Sequence, residues 1–395
     1  MMWIILAHKY ALTLILPIKN YLNSFEFIGE PANMFIMNAY VSVDTFFLLG
    51  GVVLAYTFLI ASENGVRFNV IFYYIHRYLR LTPLIAVIVG IYLTILKHFG
   101  SGPIWPNTID FHLITSCEQN WWRTLLYIQN FGLIVEEICI GQTWYLGVDF
   151  QLFLISPLLL LPLKKWPKVT LIMIGFLSVC SSTAAFLTSF FLELGGNPSS
   201  QTDLEKSEAY IKYYYFATWI RCLPWLIGII VGYGIFKIRR TQKELFINKI
   251  ILLVLWVASL AVLYVCVFEG YDVAIGKADK VANAFHMALT RPAWAIALSW
   301  VIFACTTGYG GPINWFLTLP VFQVISKLTY SMYLTHYSVL LVIGAQMVAP
   351  PAFSNFQMLY GFWSDFMCTL GVSIVFSLAF ESPIIAIEKY FYRKI

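Results

Sequence analysis

Long, uninterrupted apolar runs constrain this chain more than any other feature. Stretches of about 20 residues with almost no charge recur from end to end, and a helix of that length covers the hydrocarbon core of a bilayer. The runs do not alternate apolar and polar residues, which argues against a membrane barrel. Only 11% of the 395 residues are charged and 60% are hydrophobic, whereas soluble domains carry about 25% charge. Aromatic residues reach 17%, as expected where many helix ends meet the lipid–water interface. The fold class that follows is an all-α polytopic membrane protein, because lipid tolerates only structures whose backbone groups are satisfied internally.

Ten apolar runs read as spans, near residues 1–17, 38–61, 78–97, 144–163, 169–193, 215–237, 249–268, 287–306, 322–347 and 360–386. No sizeable soluble domain remains; the longest segment between spans is the loop 98–143. Lys and Arg placement sets the orientation. With the amino end cytoplasmic, the inner segments hold Arg67, Arg77, Arg80, Lys164, Lys165, Lys168, Lys237, Arg239, Arg240, Lys243, Lys249, Lys327, Lys389, Arg393 and Lys394. The outer loops hold Lys19, Lys97, Arg123, Lys206, Lys212, Lys277 and Lys280. Both ends are therefore expected in the cytoplasm and loop 98–143 on the extracellular or lumenal side. A net charge of +5 suits flanks that face anionic lipid and gives no sign of nucleic-acid binding.

Cys117 and Cys139 share that outer loop, where a disulfide or two free thiols can exist; the oxidising setting favours the disulfide. Cys180, Cys222, Cys266, Cys305 and Cys368 sit in or beside spans and read as packing residues. No CxxC or Cys/His cluster signals a metal. The first run is short: Met1 to Pro17 would reach about 24 Å as a helix, less than the roughly 30 Å core. A truncated first helix is the expectation.

Ionisable residues inside spans are the candidates for function. His8 can serve as a general base that activates a hydroxyl, or it can be a hydrogen-bonded structural residue. Asp44 can orient His8 or bind substrate; pairing with a neighbouring polar group to fix helix packing is the preferred reading. Trp144 and Tyr145 read as interfacial residues. Asp149 and Gln151 follow them, about 200° apart on a helix, so only one can face a given site; Asp149 is favoured because a carboxylate can orient a His. Arg221 and Arg291 each lie near a proline (Pro224, Pro292) and are either functional or snorkelling. His336 and Glu381 can be structural or functional. Arg77 and Arg80, three residues apart on one helix face, either anchor the third span at its boundary or hold an anionic ligand; His76 beside them is interfacial. No Gly-x-Ser-x-Gly elbow, Walker loop or dinucleotide fingerprint is present, and Gly308-Tyr309-Gly310-Gly311 reads as a turn.

Six pieces, in order, give the chain a resemblance. They are Trp3-Ile4-Ile5-Leu6-Ala7-His8, Val43-Asp44-Thr45-Phe46-Phe47-Leu48, Arg77-Tyr78-Leu79-Arg80-Leu81-Thr82-Pro83, Trp144-Tyr145-Leu146-Gly147-Val148-Asp149-Phe150-Gln151, Leu328-Thr329-Tyr330-Ser331-Met332-Tyr333-Leu334-Thr335-His336 and Glu381-Ser382-Pro383. Together they resemble the acyltransferase-3 family, and within it the animal nose-resistant-to-fluoxetine-like branch, which the loop pieces Cys117, Trp121-Trp122 and Cys139 also resemble. The resemblance implies one ten-helix membrane domain over residues 1–395. It implies acyl transfer from a cytoplasmic acyl-CoA-type donor to a lipid or small-molecule hydroxyl, with no bound cofactor and acyl-CoA as co-substrate. His8 matches the family's catalytic His and Arg77 and Arg80 its Arg-x-x-Arg pair, while Asp149 stands where many relatives have Glu. The partners implied are the lipid bilayer, the acyl donor and the acceptor, in the plasma membrane or an endomembrane. A lipid or drug transporter, or a truncated inactive paralogue, is the competing reading. Full-length animal relatives carry an extracellular amino-terminal domain, a further leading span and a Leu-Asp-Gly-Leu-Arg-like run before the His, none of which stands in this sequence.

Overall fold

The computed structural model describes residues 1–241, 246–268 and 270–392; Lys243, Arg393 and Lys394, counted above among the inner basic residues, lie outside them. In chain order the principal helices are α1 (Met2–Ile15), α2 (Val41–Glu63), α3 (Val70–Thr94), α4 (Trp144–Ile155), α5 (Pro167–Leu192), α6 (Thr218–Thr241), α7 (Lys249–Phe268), α8 (Lys280–Thr306), α9 (Thr329–Ala345) and α10 (Asn355–Phe376). No strand occurs among the described residues. The chain is an all-α, multi-pass membrane protein.

Each expected run falls on one of these helices, yet not every helix is long enough to cross a bilayer. Among the described residues seven pass by length and apolarity, or eight if Gly141–Ile155 and Pro157–Lys165, bent by 40°, form one span. The break at Ser156 precedes Pro157, which can start a helix but cannot donate to the preceding turn. Helix α1 has only 14 residues and stops at Leu16, whose extended backbone (φ −80°, ψ 158°) is what a following proline imposes. Helix α9 has 17.

The chain divides into two compact units. One comprises Met1–Phe27, Asn69–Gly147 and Pro320–Ile395. In it α9 packs on α10, α1 lies against both, and α3 contacts α9 and the turn Ser377–Glu381. Asn69 caps α3 by accepting from the Phe72 amide at 3.1 Å, and Ser354 caps α10. Lys9 of α1 reaches Asp365 of α10 at 2.9 Å, over Gly361, whose missing side chain leaves room for the lysine stem. The disulfide Cys117–Cys139 closes part of the loop between α3 and α4.

The other unit comprises Ile28–Phe68 and Val148–Leu319, with α6 packed along α2 and with α5, α7 and α8 around them. The α2–α6 crossing is made by glycines. A methyl group on Gly51, Gly228 or Gly232 would run into the backbone of the facing helix, so the close approach exists because these residues have none. Prolines 224 and 292 lie inside α6 and α8. Each removes the amide that would bond the carbonyl four residues earlier, at Ile220 and Ala288. The adjacent serines of α5 supply the missing donors: Ser181 Oγ donates to the carbonyls of Trp219 (2.8 Å) and Ile220 (3.2 Å), and Ser182 Oγ to that of Ala288 (3.0 Å). Hydroxyls on neighbouring helices are what makes prolines tolerable at membrane depth.

Candidate active site

Helix α9 is the spine of the first unit's site. Between Tyr330 and Ser338 it carries six polar or amphipathic side chains that find partners off the helix. Tyr330 donates to the Leu81 carbonyl at 2.6 Å and Ser331 to Glu381 Oε2 at 2.6 Å. Tyr333 donates to the Gln142 carbonyl. Thr335 meets Ser373 at 3.0 Å, His336 meets His8 at 2.9 Å and Ser338 meets Tyr92 at 2.5 Å. Side chains bonded across helices hold such a helix in register.

The histidine pair has a definite proton arrangement. His336 is fully buried, and its Nδ1 lies 2.7 Å from the Tyr333 carbonyl and 3.2 Å from that of Met332. Carbonyl oxygens only accept, so Nδ1 carries the proton. In the neutral ring Nε2 is then a lone pair, and it accepts from His8 Nδ1 at 2.9 Å. That bond fixes the proton of His8 on Nδ1 and leaves Nε2 as its basic nitrogen. The tautomers are assigned from these bonds. The two rings stack with centroids 5.1 Å apart, and Tyr337 stands edge-on to His8 at 5.4 Å. His8 is only half-buried, whereas His336 is sealed. One ring can therefore meet a reactant while the other positions it.

The basic pair belongs to the same unit. On α3, Arg77 is half-buried and Arg80 exposed, and both charges act on Tyr330, as does Glu381. Tyr330 and His336 are six residues apart on α9, about 9 Å along the axis. One helix thus connects the neighbourhood of the guanidiniums to the histidine pair. Trp144, expected at the lipid interface, is instead 7% exposed, with its ring edge-to-face against Tyr145.

The remaining candidates lie in the second unit. Asp44 and Arg221 are both fully buried and joined by an Nη1–Oδ1 contact of 2.9 Å. Arg291, 2% exposed, has Nε 3.8 Å from the other Asp44 oxygen. Neither arginine snorkels: both guanidiniums are enclosed by helices. Asp149 is also buried, with Oδ1 facing Gly50. Gln151 Oε1 accepts from Thr218 at 2.6 Å, so the amide is engaged between helices. No group of three or more His, Cys, Asp or Glu among the described residues could hold a metal ion.

Sequence reasoning singled out His8, Arg77 and Arg80 without connecting His8 with His336; the carboxylate it set beside His8, Asp149, belongs to the second unit. The available signal was the density of polar side chains on α9, more than any apolar helix retains without cross-helix partners.

Comparison with known proteins matches residues 1–382 to the acyltransferase-3 family, described as an acyltransferase domain. The chain is 30% identical over its full length to Nose resistant to fluoxetine protein 6 of Caenorhabditis elegans, of which it spans half. Over 88% of its length it is 23% identical to Regulator of hypoxia-inducible factor 1 of the same organism, covering 69% of that protein. No solved structure matches.

Proposed function

Because the chain belongs to the acyltransferase-3 family of multi-pass membrane proteins, we propose that it transfers an acyl group from an acyl-CoA-type donor to the hydroxyl of a lipid or small-molecule acceptor. The observation that carries the reading is the relay Tyr333 carbonyl–His336–His8, which leaves Nε2 as the basic nitrogen of a half-buried His8. In the reaction Nε2 takes the acceptor's hydroxyl proton as its oxygen attacks the thioester carbonyl. The imidazolium so formed keeps its Nδ1–H bond to His336. Collapse of the tetrahedral intermediate breaks the C–S bond, and the proton on Nε2 passes to the departing thiolate, giving an ester and a free thiol. Arg77 and Arg80 bind the donor's phosphates from the cytoplasmic side, as the distribution of Lys and Arg orients the chain. Asp149 remains a candidate for substrate positioning.

The test uses membranes containing the full chain, the wild type or His8→Ala, supplied with acyl-labelled acyl-CoA. Acceptor labelling that needs the donor and is lost in His8→Ala supports the reading; equal labelling by both proteins removes His8 as the base. Saturable flux of a lipophilic solute, independent of acyl-CoA and indifferent to His8, would favour a transporter.

A further inference from the structure

Around Asp44 the buried charges do not balance, the second unit's other buried carboxylate, Asp149, facing Gly50 instead. Asp44 supplies one carboxylate, Arg221 and Arg291 two guanidiniums, and all three are at most 2% exposed. They stand on α2, α6 and α8, helices long and apolar enough to cross the membrane. A buried cation without compensation is among the costliest features a protein can carry.

The two arginines differ. Arg221 is held on several sides: Nη1 to Asp44 Oδ1 at 2.9 Å, Nε to the Tyr215 carbonyl at 2.8 Å, and its face over the Tyr215 ring at 4.3 Å. Arg291 has the Tyr214 ring on one face at 4.1 Å, but Nε, Nη1 and Nη2 have no hydrogen-bond partner. Asp44 Oδ2, at 3.8 Å from its Nε, is too far for a hydrogen bond. Tyr210, 1% exposed, likewise has an unpartnered hydroxyl and lies within electrostatic reach of Arg291 and Tyr40. Tyr40 meets His286 Nε2 at 3.3 Å. Donors therefore outnumber acceptors around a net single positive charge.

We propose that this cluster is a binding site for one small monovalent anion, a carboxylate or a halide, held by Arg291 and Tyr210. Water could satisfy the N–H groups but not the charge. A monoanion does both, and a carboxylate offers the fork that a guanidinium binds with two parallel bonds. A dianion would invert the imbalance. The site lies wholly in the second unit and does not depend on the histidine pair or on acyl transfer.

The experiment follows thermal unfolding of the purified full chain in detergent. Sodium chloride or sodium acetate is titrated at constant ionic strength against the salt of a bulky sulfonate buffer. A ligand that binds only the folded state raises the midpoint saturably. The expected result is saturation by at least one of the two anions, with the half-saturating concentration raised tenfold or more in Arg291→Gln and several-fold in Tyr210→Phe. The milder Tyr210→Phe keeps the test open if Arg291→Gln does not fold. Tighter binding of acetate identifies a carboxylate ligand and tighter binding of chloride a halide. No saturable response in the wild type, or half-saturation unchanged by the substitutions, overturns the proposal.

Discussion

Gly232→Ala tests whether close backbone approach builds the second unit. A Cβ at this position would lie 2.5 Å from the Val52 carbonyl oxygen, 3.1 Å from Ala55 Cβ and 3.2 Å from the Val52 carbonyl carbon. Carbon and carbonyl oxygen settle at about 3.3 Å or more in proteins, so α2 and α6 must part by roughly 0.8 Å there. The obstruction is mainly backbone and cannot rotate away, which puts the cost near the upper end of the roughly 1–3 kcal/mol seen for overpacking. Alanine returns about 1 kcal/mol of helix propensity, leaving a net loss of about 2 kcal/mol, roughly 30-fold in the folding equilibrium. A methyl group on Gly234, two residues on, would meet nothing within 4 Å, so Gly234→Ala should gain up to about 1 kcal/mol. The assay is reversible unfolding of the purified chain in mixed detergent micelles by titration with sodium dodecyl sulfate, followed by tryptophan fluorescence. Because Arg221 precedes Gly232, and Asp44 precedes Ala55, by eleven residues, each pair shares a helix face. The separation is therefore transmitted toward the 2.9 Å Arg221–Asp44 contact. Equal stabilities for the two alanine variants would refute the reasoning.

Three further predictions address the first unit and the proline carbonyls. His336→Ala should lower kcat for acyl transfer by about 10²-fold with little change in KM, and His336→Gln, whose amide oxygen can accept from His8, should restore part of it; identical Ala and Gln variants would exclude a positioning role. Arg77→Gln or Arg80→Gln should raise KM for the acyl donor about 10-fold or more each, the worth of a charge-assisted bond, and an unchanged KM in both variants would leave the pair as helix anchors. Ser182→Ala should cost about 1–3 kcal/mol, since the Ala288 carbonyl loses the donor that replaces the amide absent at Pro292. Pro292→Ala in the Ser182→Ala background should recover much of that in the same unfolding titration.

The sequence by itself determined the class of solvent this chain folds in. Apolar run length and scarce charge are local properties, and lipid turns them directly into helices. The same local reading singled out His8, the Arg77–Arg80 pair and Cys117 and Cys139, and the structure joins the two cysteines. Of the ten crossing helices this reading expected, seven or eight among the described residues qualify by length and apolarity; Pro17 ends α1 early and Pro157 breaks the fourth run, and apolarity does not register either stop. Partnership was decided only in three dimensions. His8 and His336 stand 328 residues apart, and Asp44 and Arg221 177 apart. Nothing in hydropathy says that α2 and α6 meet at glycines or that Ser181 and Ser182 face two prolines. An arginine near a helix end snorkels or is buried according to which helices surround it, and that depends on packing between distant segments.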